Sequence, residues 1–411
     1  MRKNAVISLV VVLALSFVGT AFAGPDWEFS ARHLALADTG NAVFNFPGLS
    51  PSLENIACLV GNPDYNILME GRASGHLAYA SRDKIDFEYR GLEAMAGLKT
   101  TYPTLQTDDE EEFAERLSIA FIPGVRVRYD YTRKNYTEDD DQTLGAPSIK
   151  ADDEVEDSAW QPTLFQRFGM AYGINEYVAV GVGFTLMPLN IKRFAQAGVV
   201  AEDWERPKNS PFYGSDGDLQ DEYTIIGPVL FSPEIGVLTR PVEFIQLGLA
   251  FEMGDMKSRK SDVEHNYTTG KKDTTTEYFV ARSPSLGLGF AIDIPDIDYF
   301  TVAFDYDQEW RRGGASDYGY GADNQKQEFS VSVEKKWEMS SIKGGLGYAD
   351  EVGTKRYMPY DRFLVSTGTD IWFDEHIMMG LSMRAELGYL EADPGGFAFG
   401  GGAGWTLGGT F

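Results

Sequence analysis

From about residue 67 onward, large apolar residues return at every second position, with small or polar residues between them. Val125, Val127, Tyr129 and Tyr131 alternate with Arg126, Arg128 and Asp130. Val178, Val180, Val182, Phe184 and Leu186 alternate with Ala179, Gly181, Gly183 and Thr185. The same rule holds over 245–253, 300–307 and 377–389. A period of two sends the two sets to opposite faces of a strand, so the pattern predicts a long succession of β-strands, each with one apolar face. The last stretch, FAFGGGAGWTLGGTF, puts Phe397, Phe399, Trp405, Leu407 and Phe411 on one face and small residues on the other.

The connections sharpen this reading. Short turns fall near 174–176, 240–241, 295–297, 338–340 and 374–375. Alternating with them are longer polar segments near 137–159, 194–222, 256–275, 311–324, 354–361 and 391–395. Short turns at one end and long loops at the other form the pattern of outer-membrane barrels, facing periplasm and exterior respectively. Roughly ten tilted residues cross a bilayer as a strand, and counting back from Phe411 gives about fourteen strands. The expected fold class is all-β, a transmembrane antiparallel β-barrel of about 14 strands spanning 67–411. Trp160, Tyr177, Tyr223, Tyr299, Trp310, Trp337, Trp372 and Phe373 lie near strand ends, where rings suit the interfacial girdles.

The amino terminus supplies the compartment. Arg2 and Lys3 precede an apolar run from Val6 to Val18, and Ala21-Phe22-Ala23 offers a cleavage site before Gly24. Residues 1–23 read as a cleaved secretory signal peptide. The expected destination is the outer membrane of a Gram-negative bacterium, with lipid, lipopolysaccharide and the barrel assembly machinery as partners. Cys58 is the single cysteine, so no intramolecular disulfide forms despite export, and it reads as a small buried residue. A net charge of −26 argues against a nucleic-acid partner.

Residues 24–66 lack the period of two. They contain Glu28-Phe29-Ser30, an Ala-rich stretch with Arg32, and an acidic segment from Glu54 that reaches Asn62-Pro63. This pattern resembles the amino-terminal hatch of the FadL/TodX long-chain fatty-acid and hydrocarbon transporters, and of the related PorV-type secretion barrels. It departs from them at Asp64, which follows Asn62-Pro63, and in an insertion at 43–51. The resemblance implies a hatch or plug segment over 24–66 inside the barrel, with Phe29, Arg32, Asn62 and Pro63 as hatch residues. It also implies a hydrophobic small-molecule cargo released sideways past the hatch.

Charged residues on the inward faces mark the lumen, because Arg or Lys facing lipid near the midplane costs about 2–4 kcal/mol. Arg126, Arg128, Arg167, Arg384 and Glu386 are the lumen and ligand-binding candidates. Two readings stand: a salt-bridged structural lumen, or a path where Arg126 or Arg128 holds a carboxylate head group. Pro188 interrupts a strong strand and, having no ladder donor, belongs at a bulge, an edge or a strand end; the resemblance to the FadL-type transporters makes it the candidate for a lateral opening. The acidic runs at 108–112, 138–141 and 152–157 are assigned to solvated outer loops. No metal site, cofactor or enzymatic activity is expected: H-E-x-x-H and G-x-S-x-G are absent, and His376 with Ser382 is a poor catalytic pair. The alternatives to a hydrophobic transporter are a general diffusion porin and a non-transporting structural or secretion-partner barrel.

Overall fold

The computed structural model describes residues 31–42, 54–61, 65–82, 85–105, 116–136, 154–199, 218–227, 230–253, 258–266, 271–279, 284–294, 300–311, 324–352, 360–373, 376–390 and 396–410. These residues build one closed antiparallel sheet. Its strands are β1 (Asn66–Arg82), β2 (Ile85–Leu105), β3 (Leu117–Tyr136), β4 (Glu154–Asn175), β5 (Val178–Val199), β6 (Asp218–Gly227), β7 (Leu230–Val242), β8 (Ile245–Glu252) and β9 (Ser258–Asn266). Then come β10 (Lys271–Phe279), β11 (Ser285–Asp293), β12 (Phe300–Arg311), β13 (Asn324–Lys336), β14 (Ser340–Val352), β15 (Tyr360–Trp372), β16 (Ile377–Leu390) and β17 (Gly396–Thr410).

Three pairs of these segments are each one interrupted stave. β5 pairs with β7 along its first half and with β6 along its second. β8 pairs with β7 and β11, while β9 pairs with β6 and β10. Taking β6 with β7, β8 with β9 and β10 with β11 leaves a barrel of fourteen staves, closed where β1 pairs with β17 from Asn66↔Thr410 to Tyr79↔Phe397. No described helix is long and apolar enough to cross a membrane.

The alternation in the sequence separates two environments. Met383, Phe399 and Leu407 point outward, at 67%, 56% and 49% exposure. On the intervening positions Glu70, Lys99, Arg167, Glu334, Lys343 and Asp370 are buried in the lumen. Apolar groups therefore face lipid, and charges meet their partners inside. Two such partnerships are Lys99 Nζ with Glu70 Oε2 at 3.1 Å and Lys343 with Asp370.

The structure corrects four expectations. The turn after β7 is at Glu243 and Phe244, not at Arg240-Pro241, because those two residues are taken up in a bulge between Thr239 and Val242. The polar segment near 256–275 is largely strand, forming β9 and β10. β2 ends and β3 begins at the same end of the barrel as the turn between β4 and β5. The acidic run at 108–112, itself outside the described residues, therefore belongs to a short-turn-end connection and not to an outer loop. Trp372 is 5% exposed and faces inward, under the Lys336 ammonium 5.1 Å from its ring, whereas Trp160, Tyr177, Trp337 and Phe373 are exposed as girdle positions require. The rings of Tyr223, Tyr299 and Trp310 lie outside the described residues.

Candidate functional site

The lumen holds two pieces of the chain's own amino-terminal segment. The first begins with α1 (Ala31–Ala35) and a turn, then runs to Ala42; the second is a short 3-10 helix, Ile56–Gly61. α1 lies against β14 to β17 and β1, and the 3-10 helix lies against β3, β4, β5 and β7. Glycines on the inner wall make this fit possible. A Cβ on Gly248 would stand 1.7 Å from the Asn41 carbonyl oxygen, and one on Gly181 would stand 2.6 Å from the Ala57 nitrogen. No real Cβ tolerates such distances to backbone, so these wall positions admit the plug only as glycine.

Polar contacts then fix the plug. Arg32 on α1 forks onto Glu334 of β13, with Nη2–Oε2 at 2.7 Å and Nε–Oε2 at 3.1 Å, both side chains 2% exposed. After α1 the chain takes left-handed backbone at two non-glycine residues, Ala37 (φ 52°) and Asp38 (φ 63°). Such conformations cost of order 1 kcal/mol or more each and persist where surroundings hold them. Here Asp38 is held by Arg384 of β16 and by His33 Nε2 at 3.2 Å. The backbone N–H groups of Gly40 and Asn41 both donate to Asp305 Oδ2 of β12 at 2.6 Å. Asn55 Nδ2 donates to the carbonyls of Asn41 and Val237, each at 2.9 Å, which ties the two pieces to each other and to β7. Cys58 is fully buried, 3.7 Å from the Asn41 carbonyl, and burial pushes its thiol pKa well above the ordinary value.

Of the hatch residues read from the sequence, Arg32 is at the plug–wall boundary, while Phe29, Asn62 and Pro63 lie outside the described residues. The lumen candidates all face inward or partly so. Arg126 Nε donates to Glu93 Oε2 at 2.9 Å. Arg167 forks onto Glu234, Nε–Oε1 3.0 Å and Nη2–Oε2 2.6 Å. Glu386 gathers Arg384 Nε at 2.9 Å, His76 Nδ1 at 3.2 Å and Arg362 Nη1 at 3.5 Å. Arg128 is half-buried beside Glu93 in the β2–β3 register. A cargo carboxylate reaching Arg126 would compete with Glu93. His376 is exposed in the turn before β16, while Ser382 is buried further along that strand.

Beside these ion pairs the lumen holds an apolar patch against the 3-10 helix. Met95, Ile122, Phe165 and Met187 cluster with Ile56 and Leu59 of the 3-10 helix. The sequence carried a signal for it, since Phe165 and Met187 hold the inward parity of Arg167 and Thr185. The patch adjoins Pro188. Between Leu164↔Leu189 and Gln166↔Leu186 the β4–β5 register shifts, so that Phe165 faces both Met187 and Pro188. On its other side, β5 changes partner from β7, ending at Met187↔Leu230, to β6, beginning at Asn190↔Gly227. Both ladders are therefore interrupted at Pro188, which is exposed on the outer face.

No protein-family model and no curated protein matches this chain. Solved structures do. A Pseudomonas aeruginosa FadL homologue is similar over 95% of this chain and 99% of its own, at 11% identity and a TM-score of 0.58. The Pseudomonas putida toluene transporter TodX is similar over 94% and 99%, at 13% identity and a TM-score of 0.53. The Ralstonia pickettii toluene transporter TbuX is similar over 93% and 98%, at 11% identity and a TM-score of 0.53. With fourteen staves and its lumen occupied by its own amino-terminal segment, the chain has the fold of the FadL/TodX-type channels.

Proposed function

We propose that this protein is an outer-membrane channel that carries hydrophobic small molecules, such as long-chain fatty acids or hydrocarbons, past a movable hatch. The observation that carries this reading is the apolar patch of Met95, Ile122, Phe165 and Met187, set beside the hatch helix in a lumen that also holds many buried ion pairs. An apolar surface in a polar channel binds apolar cargo, at about 25 cal/mol per Å² removed from water. The register shift and change of strand partner at Pro188 support a sideways route from that patch to lipid. Neighbours of the same fold are toluene transporters and a FadL homologue, which agrees with the cargo class. The reading of residues 1–23 as an export signal agrees with the proposed compartment.

The test is planar-bilayer conductance together with uptake of a fluorescent fatty acid into liposomes, using residues 24–411 and a form lacking 24–66. The expected result is a full-length channel closed to ions that still admits fatty acid, and large ion openings once the segment is removed. Stable ion openings in the full-length protein would make it a porin. A closed channel without uptake would favour a structural or secretion-partner barrel.

A further inference from the structure

A second polar assembly sits where the plug meets the opposite wall. Carboxylate oxygens of Glu54 from the hatch and of Asp305 and Asp307 from β12 lie within 4.8 Å of one another. The three side chains are 8%, 4% and 9% exposed. Glu328, 6% exposed, stands opposite Asp307 in the β12–β13 register. Nearby cations have other duties: Arg32 is engaged by Glu334, and Arg384 by Asp38 and Glu386. His33 Nε2 lies 3.0 Å from Glu54 Oε1, and the two aspartates accept hydrogen bonds from neutral donors: two backbone N–H groups on Asp305 and Asn41 Nδ2, at 2.8 Å, on Asp307. Crowded buried carboxylates of this kind are strongly unfavourable unless a cation or protons neutralise them.

A separate feature points to a ligand. Two oxygens here have no hydrogen-bond partner among the described residues, Asp305 Oδ1 and Asn41 Oδ1, and a third such oxygen, Ser285 Oγ, lies on a cavity that Glu54 also lines. Asn41 is fully buried and its amide already touches Asp307; Ser285 is 2% exposed. The cavity, of about 10 Å³, is also bordered by Glu234 and Glu252 and has room for about one water molecule. Hard oxygens from carboxylates, an amide and a hydroxyl, with space for a coordinated water, are the donor set of Ca²⁺.

We propose that Glu54, Asp305 and Asp307 bind one calcium ion, with Asn41 as a neutral ligand and the Ser285 cavity holding a water of its shell. The ion joins the hatch to β12. Glu54 and Asn41 come from the two separate hatch pieces, so calcium locks both at once, and its removal loosens the plug.

The test uses the full-length mature protein in detergent, stripped with chelator and then dialysed against radioactive Ca²⁺. Wild type should retain one tightly bound ion per chain above any weak binding by surface acids. E54Q and D307N should each weaken that site by about tenfold or more, since affinity follows ligand charge. E54Q changes the hatch and not a barrel strand, which keeps the test readable if D307N fails to fold. Calcium should also slow modification of Cys58 by a maleimide in wild type and not in E54Q. Equal binding by wild type and E54Q, or no tight site in wild type, would overturn the proposal and mean that the carboxylates share protons instead.

Discussion

Arg32 and Glu334 offer the most direct measure of how firmly the hatch is held. The pair is a fork with contacts at 2.7, 3.1 and 3.2 Å, and both side chains are 2% exposed. Arg32→Met keeps much of the volume but leaves the Glu334 carboxylate in the lumen without its guanidinium. Removing one partner of a buried pair costs about 3–5 kcal/mol. That corresponds to a rise of about two to three and a half orders of magnitude in the undocked fraction. The single cysteine, Cys58, reports it: fully buried when docked, it reacts with a maleimide in proportion to the open population. R32M should speed labelling by that factor and raise the frequency of ion openings. Replacing both partners, R32M with E334L, should recover most of the wild-type protection, because an apolar pair has no stranded charge. Labelling of R32M within threefold of wild type would refute the claim that this pair holds the plug. So would a double variant as open as the single one.

Other perturbations address other parts of the molecule. Gly248→Ala places a methyl 1.7 Å from the Asn41 carbonyl oxygen, so the hatch piece must shift; frequent ion openings in planar bilayers are expected while the circular dichroism of the barrel is unchanged. Pro188→Val restores a ladder donor at the wall interruption and should slow fatty-acid uptake several-fold without changing ion conductance, measured in the same liposomes. The Cys58 thiol has its pKa raised by burial from the ordinary 9.0. Its neutral form therefore supports docking fully below that value, and this support is lost as pH rises above it. Hatch opening should begin above about pH 9 in wild type and be delayed to higher pH in C58A, as followed by conductance.

The barrel was legible because lipid on one side and a polar lumen on the other impose a strict period of two, plain in β5, β16 and β17. The rule fails where both faces are polar. β9 reads SRKSDVEHN and β10 reads KKDTTTEYF, so neither shows an apolar face, and both passed for loop. Of the charges read as inward, Arg167 and Glu386 are buried in the lumen. Their partners were not legible, because pairing across the lumen joins residues far apart in sequence, as with Asp38 and Arg384. The wall glycines look like any small lumen residue until the hatch backbone is seen against them. The grouping of Glu54 with Asp305 and Asp307 is illegible for the same reason, because Glu54 is remote in sequence from the other two.

The placement of the hatch has a consequence for how the protein is made. The plug precedes β1, and β1 completes the wall only by zipping to β17, the last of the described strands in chain order. Its two pieces touch different groups of strands: the 3-10 helix packs on β3, β4, β5 and β7, and α1 mainly on β14 to β17, with a smaller contact to β1. The early-made half of the sheet can therefore hold the 3-10 helix while the late half is still arriving. α1 finds its partners only when β13 to β17 are in place, over contacts hundreds of residues apart that are slow to form. In the finished barrel the same segment acts as an internal tie-rod between earlier and later staves. Chain closure and plug docking thus become one cooperative event, and a barrel that closed first would have shut its own plug outside.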